Sequence, residues 1–196
     1  MIPQPYTRVE LEALGVRCGE NVQIDRSVVL INPQRLTIGH DVRIDCFCVL
    51  SAGAAGIELG SWIHLACGCY LFGSGGSIQI DDFCNVSSRV SIYTANDDYI
   101  GGALTNPLVP IELRDVSTGP VRLHRHAIVG SGSVLLPGVT LGVGAAVGAL
   151  SLVPDAVPEF TVVAGTPARR IRQRGRKLLE LEQVVRERFA AAQQPT

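Results

Sequence analysis

From Leu123 the chain divides into six consecutive hexads: LHRHAI, VGSGSV, LLPGVT, LGVGAA, VGALSL and VPDAVP. Each opens on Leu or Val, Gly fills the second position in three of the six, and a small or β-branched residue fills the fifth. A period of six is neither the 3.6 of an amphipathic helix nor the alternation of an exposed strand. It fits a short flat strand, a tight corner and another short strand, with three such sides closing a triangular coil of 18 residues. Parallel coils then stack at the strand spacing of about 4.8 Å. The aliphatic at each hexad start points inward onto its copies above and below. The fifth residue also points in, where a narrow triangle has no room for more. Gly, Asn or Asp is expected at the corners, where φ turns positive.

The same frame extends upstream. The rows IGHDVRIDCFCVL (38–50), LGSWIHLACGCYL (59–71) and IDDFCNVSSRVSI (80–92) are each offset by 21 residues, one coil plus a three-residue bulge. This is an all-β fold, a hexapeptide-repeat parallel β-helix. The repeat also reinterprets Ala127–Pro154, which carries no Asp, Glu, Lys or Arg and would pass a hydropathy test for a membrane span. Six glycines and two prolines locked to a six-residue frame argue for stacked coils instead, so no membrane span is expected.

At 196 residues the chain is expected to be one domain, 1–196. A net charge of −1 and 5% aromatics argue against nucleic acid as a partner. The first residues show neither a basic region nor an apolar run of signal-peptide type, so a cytoplasmic location is expected. Six cysteines are too sparse for a disulfide scaffold and are expected as reduced thiols. Cys46 and Cys67 stand 21 apart, as do Cys48 and Cys69, which the repeat accounts for as ladders of small residues. A metal or redox role is the alternative, although C-x-C is not the usual zinc spacing.

Thr7-Arg8-Val9-Glu10 is a capping box, predicting a helix over 8–14. The β-helix is expected over 18–158, interrupted by a loop at 94–120, an excursion long enough to suggest function or an interface. A terminal helix is expected over 176–191, with Leu178, Leu181, Val185 and Phe189 on one face. The tail AAQQPT reads as a frayed end.

The run VGSGSVLLPGVTLGVGAAVGALSLV followed by VVAGTPARRIR resembles the hexapeptide-repeat left-handed β-helix acyltransferases, over nearly the whole chain. VSIYTANDDYIGGALTNPLVP, the restart at 119–123 and KLLELE are similar to acetyltransferases that modify nucleotide-linked amino-deoxy sugars for surface polysaccharides. The resemblance implies acetyl-CoA as co-substrate, lying in an outer groove between subunits of a homotrimer. Flat apolar coil faces would also favour cyclic packing. By the same resemblance Ser131 and Ala149, 18 residues apart, would grip the pantetheine arm, and Gly130 and Gly148 would let it approach. Gly165, Pro167, Arg169 and Arg172 map onto the turn that meets the CoA phosphates. The basic run 169–177 could otherwise be a solvated helix start or a membrane-surface patch.

The better-known sugar and antibiotic acetyltransferases of this type keep a His at the entry to the excursion. Here Asp97 stands in that slot, with Asn96 and Asp98 beside it, and no His occurs between 64 and 124. A sugar hydroxyl needs a well-placed base, whereas an amine needs only to be neutral and can lose its proton after attack. The acceptor is therefore expected to be an amine, with Asp97 and Asp98 as catalytic candidates and Asn96 and Tyr99 on the substrate. Turn chemistry is the alternative for TANDDY. His64 is an alternative base, His124 and His126 are corner or groove-lining residues, and His40 is structural. A three-histidine zinc site of the carbonic anhydrase kind would want wider spacing than His124-x-His126, so no metal is expected. The other readings are O-acetylation of a saccharide or xenobiotic, and a non-catalytic scaffold.

Overall fold

The computed structural model describes Ile2 and residues 4–192. The hexad starts Val129, Leu135, Leu141 and Val147 are buried, and so are the fifth-position residues Ala127, Ser133, Val139, Ala145 and Ser151. Burying two residues per hexad from each of three sides leaves one continuous core along the axis. The result is a left-handed parallel β-helix with three sheets.

The first sheet stacks Arg17–Cys18, Leu36–Ile38, Ile57–Leu59, Ile78–Ile80, Val121–Leu123 and Thr140–Leu141. The second stacks Val22–Ile24, Val42–Ile44, Ile63–Leu65, Asn85–Val86, Ile128–Val129, Ala146–Val147 and Thr161–Gly165, closed by antiparallel Ala168–Gln173. The third stacks Val29–Ile31, Val49–Ser51, Tyr70–Phe72, Ser91–Tyr93, Val134–Leu135 and Leu152–Val153. Val42 pairs with Ile63 in the longer coils, and Ile128 with Ala146 in the regular ones. The extra residues sit at the corner between the third and first sheets, at 52–56 and 73–77.

The corners depart from expectation. Asn21, Asp41, Gly68, Gly132 and Gly144 take positive φ as foreseen, but so do Phe47, Trp62, Phe83, Arg89, His126, Leu150 and Phe160. A left-handed residue with a Cβ costs about 1–2 kcal/mol. Ring stacking along one corner offsets part of that: Trp62 and Phe83 stack at 4.6 Å, and Phe83 and His126 at 5.1 Å.

The N-terminal helix α1 spans Arg8–Ala13, with the full capping box at Thr7 and Glu10, and Leu14 is its C-cap rather than its last residue. The C-terminal helix α2 spans Leu178–Ala192, two residues later at its start than expected. Ala191 and Ala192 are helical, and the rest of the tail expected to fray, 193–196, lies outside the described residues. Of the four residues on the expected apolar face of α2, Leu178 and Phe189 are partly buried and Leu181 and Val185 are exposed. Leu181 is 56% exposed and Val185 38%, while Glu182 is buried against His126, its Oε2 2.6 Å from His126 Nε2. Arg186 bridges Glu182 and Asp82, and Phe189 stacks on His40. Among the described residues no helix is long and apolar enough to cross a membrane.

Candidate active site

The excursion leaves and rejoins the solenoid as a two-stranded ribbon. Ala95–Asp97 pairs antiparallel with Val116–Thr118, which sets Asp97 opposite Val116. Buried Thr94 anchors the base: its hydroxyl donates to the Phe72 carbonyl and accepts from Gly75 N–H, while Gly119 N–H donates to its carbonyl. Between this ribbon and the outer face of the third sheet lies a cavity of about 780 Å³. Asn96, Asp97 and Tyr99 line it from the excursion, and Phe72, Tyr93 and Val134 from the sheet.

Three of the four acceptor-site candidates thus converge. The Asp97 Oδ1 accepts from Arg114 Nη2 at 3.2 Å, and Arg114 lines the same cavity. Tyr99 sits at the rim, 86% exposed. Asp98 does not join them, because its carboxylate accepts from the main-chain N–H groups of Ile100, Gly101, Gly102 and Ala103. The amides of Ile100 and Ala103 foremost hold that carboxyl below the usual carboxylate range. Asp98, the other catalytic candidate by sequence, thus has its carboxylate drawn into the loop that it shapes.

The histidines are engaged elsewhere. His64 lies on the second sheet, its Nε2 2.8 Å from Asp45 Oδ2, and it does not line the cavity with Asp97. Burial pushes the Asp45 carboxyl up, but hydrogen bonds from His64 and Arg43 outweigh it and hold the group low. His124 Nδ1 stands 3.0 Å from Asp81 Oδ2, and His40 Nδ1 2.8 Å from Asp41 Oδ2. Among the described residues no group of three His, Cys, Asp or Glu is placed to hold a metal ion.

Ser131 and Ala149 occupy equivalent corners one coil apart, as the Leu150 N–H donating to the Ser131 carbonyl records. Among the described residues their own main-chain amides donate to nothing, so both are available to a ligand carbonyl. Two such amides at coil spacing fit an extended chain bearing carbonyl acceptors along the axis. Gly130 and Gly148 have a task in the fold itself. A Cβ on Gly130 would stand 2.4 Å from Ala149 N, and one on Gly148 2.7 Å from Ala164 Cβ, so stacking of the coils already requires glycine there.

Gly165, at φ +107°, and Pro167, after a cis peptide bond, form the turn of the terminal hairpin. Arg169 lines a second cavity of about 440 Å³ with Arg170 and Gln173, whereas Arg172 lies outside it. Neither Arg169 nor Arg172 pairs with a carboxylate among the described residues. The rest of the basic run is structural in part. Arg174 is driven into the body, where it donates to the carbonyls of His126 and Gly144, and Arg176 pairs with Glu159 over the Phe160 ring.

Sequence reasoning missed Arg114 and the stacked Phe72 and Tyr93, 5.3 Å apart. The rings could have been found as outward positions of the third sheet that carry aromatics where a solvated face would carry polar groups. Arg114 had no local signal, since only the ribbon pairing brings it to Asp97.

No protein-family model matches the chain. It is 44% identical over 177 residues, 90% of its length and 92% of the relative's, to dTDP-4-amino-4,6-dideoxy-D-glucose acyltransferase of Escherichia coli. It superposes with TM-score 0.91 at 38% identity on AntD, an N-acyltransferase from Bacillus cereus solved with dTDP-4-amino-4,6-dideoxyglucose and coenzyme A, covering 95% of this chain and 99% of that one. Other AntD crystals hold dTDP with 3-hydroxybutyryl-CoA, and the variants solved replace one serine or one aspartate ten residues further on. A maltose O-acetyltransferase from Clostridium difficile, at 20% identity and TM-score 0.55 over 86% of this chain and 74% of that one, shares the fold.

Proposed function

This chain belongs to the hexapeptide-repeat family of sugar acyltransferases, and from that premise we propose that it transfers the acyl group of acetyl-CoA to the amine of a dTDP-linked 4-amino-4,6-dideoxy sugar. The observation that carries the amine acceptor is Asp97. It lines the cavity, in the slot where the better-known sugar and antibiotic members carry His by resemblance, and its carboxylate is paired with Arg114. A carboxylate is a weak base towards a sugar hydroxyl, which is a very weak acid. It serves better towards the ammonium that forms when an amine adds to a thioester, since that group is far more acidic than a hydroxyl.

In this reading Asp97 accepts a hydrogen bond from the acceptor amine and aims its lone pair at the thioester carbonyl. Attack gives a tetrahedral oxyanion, which a main-chain N–H stabilises. Asp97 takes the ammonium proton, the oxyanion collapses with cleavage of the C–S bond, and CoA leaves as the thiolate, which recovers that proton from Asp97. Ser131 and Ala149 supply amides to the pantetheine arm, and Arg169 and Arg172 supply guanidinium groups to the phosphates. Asn96 and Tyr99 contact the acceptor. The spacing of the serine and aspartate altered in AntD is matched by Ser87 and Asp97. It is matched by Ser88 and Asp98 too, but the Asp98 carboxylate is already taken up by four amides.

We further propose a homotrimer working in the cytoplasm. Support for assembly comes from apolar side chains left uncovered in the single chain, on α2 (Leu181, Val184) and on the excursion (Ile100, Leu108, Ile111). Asp97→Asn tests the role of Asp97. Turnover is expected to fall at least a hundredfold while acetyl-CoA binding by calorimetry is unchanged. Undiminished turnover removes Asp97 from the mechanism.

A further inference from the structure

One corner of the solenoid, between the second and third sheets, carries equivalent residues in successive coils: Cys46, Cys67, Ser88, Ser131 and Ala149. A continuous ladder fixes the register. Gly68 N–H donates to Cys46 O, Arg89 N–H to Cys67 O, Gly132 N–H to Ser88 O, and Leu150 N–H to Ser131 O. Cys46 and Cys67 are therefore immediate neighbours one coil apart, on the outside of the molecule. Their sulfurs lie 3.4 Å apart, and Cys67 is exposed. The second cysteine ladder differs in kind: Cys48 and Cys69 are buried in the core, with their Sγ atoms on the carbonyls of Ala66 and Ser87.

We propose that Cys46 and Cys67 are a disulfide-forming pair, a modification site for low-molecular-weight disulfides of the glutathione class. Stacked coils hold equivalent Cα atoms at about 4.8 Å. That lies within the range of about 4.4–6.8 Å that a disulfide spans, so the bond closes by rotation about χ1 with little movement of the backbone. A metal is not the better occupant, because no third His, Cys, Asp or Glu joins the two sulfurs among the described residues.

The chemistry is a two-step exchange. The exposed Cys67 sulfur, as thiolate, attacks one sulfur of the external disulfide, and the first small thiol leaves. Cys46 then attacks Cys67 Sγ and expels the second. Two protein thiols are oxidised to one disulfide, one external disulfide is reduced to two thiols, and both protons end on the released thiols. Cys46 suits the second role: its S–H donates to Cys67 Sγ, and that bond foremost, with burial, raises its pKa, which leaves the exposed Cys67 as the first to attack.

The pair shares its corner with Ser131 and Ala149, but the inference does not rest on the acyltransfer reading. It is tested on the reduced full-length protein with oxidised glutathione, by intact mass, by thiol titration after unfolding and by peptide mapping. The expected result is a loss of two hydrogens per chain, a fall from six titratable thiols to four, and a Cys46–Cys67 cross-linked peptide. The Cys46→Ser variant is expected to stop at one glutathione adduct on Cys67, which shows that the site reacts even where the bond cannot close. Retention of all six thiols, adducts without closure in the unaltered protein, or a cross-link between other cysteines overturns the proposal.

Discussion

At the scale of single residues, what a position tolerates is set by the coil above and below it. Gly130 is the sharpest case, because a Cβ there meets main-chain nitrogen, not a movable side chain. Gly130→Ala is expected to destabilise the protein by about 1–3 kcal/mol, read as a lower Tm in a thermal melt. Gly175→Ala, with nothing within 4 Å of the added carbon, is the control and is expected to change stability by less than about 0.5 kcal/mol. An unchanged Tm for Gly130→Ala would contradict the stacking assigned to it. The inward residues were legible in the sequence because burial repeats with the hexad: Val129, Leu135 and Leu141 obey it without exception. The corner residues Trp62, Phe83 and His126 were not, because their left-handed backbone is stabilised by rings that come from other coils. Asp97 was legible by its place before the excursion, but its partner Arg114 stands 17 residues on and meets it only through the ribbon.

At the scale of elements, α2 shows where local periodicity misleads. Of the apolar face Leu178, Leu181, Val185 and Phe189, only Phe189 stacks on the solenoid's rings; Leu181 and Val185 are exposed, and the polar Glu182 and Arg186 hold the helix with it. Nothing near Glu182 in sequence announces this, since His126 is 56 residues away. Burial raises the Glu182 pKa, but the hydrogen bonds from His126 and Arg186 and the charge of Arg125 outweigh it and leave the group below the ordinary glutamate value. Its contribution to stability is therefore complete above the unfolded value of about 4.3 and is lost as pH falls through the lower folded one. Trp62 is the only tryptophan, and it packs against Phe189 and Arg186, so its fluorescence reports the docking of α2. A change in Trp62 emission is expected as pH drops below about 4, with a smaller change in Glu182→Gln, which also begins from a looser helix at neutral pH. The same acid transition in both proteins would mean that Glu182 does not hold α2 in place.

At the scale of the whole molecule, the solenoid is a ruler that sets amides at coil spacing along one corner and a cavity beside the excursion. The repeat made the architecture readable, as well as the interruption at 94–120 and the uncharged run 127–154, which is a wall of stacked coils. Assembly is predicted at this scale: light scattering at micromolar concentration is expected to give three times the 20.9 kDa chain mass, and a monomer would contradict the trimer. The most direct test of the central claim is a CoA-release assay of the purified protein with acetyl-CoA. Two acceptors are compared, dTDP-4-amino-4,6-dideoxyglucose and the same sugar nucleotide with a hydroxyl in place of the amine. The account predicts stoichiometric release of CoA and an N-acetylated product with the amine, and no release above background with the hydroxyl. Equal or faster turnover of the hydroxyl compound, or no release with either, would contradict it.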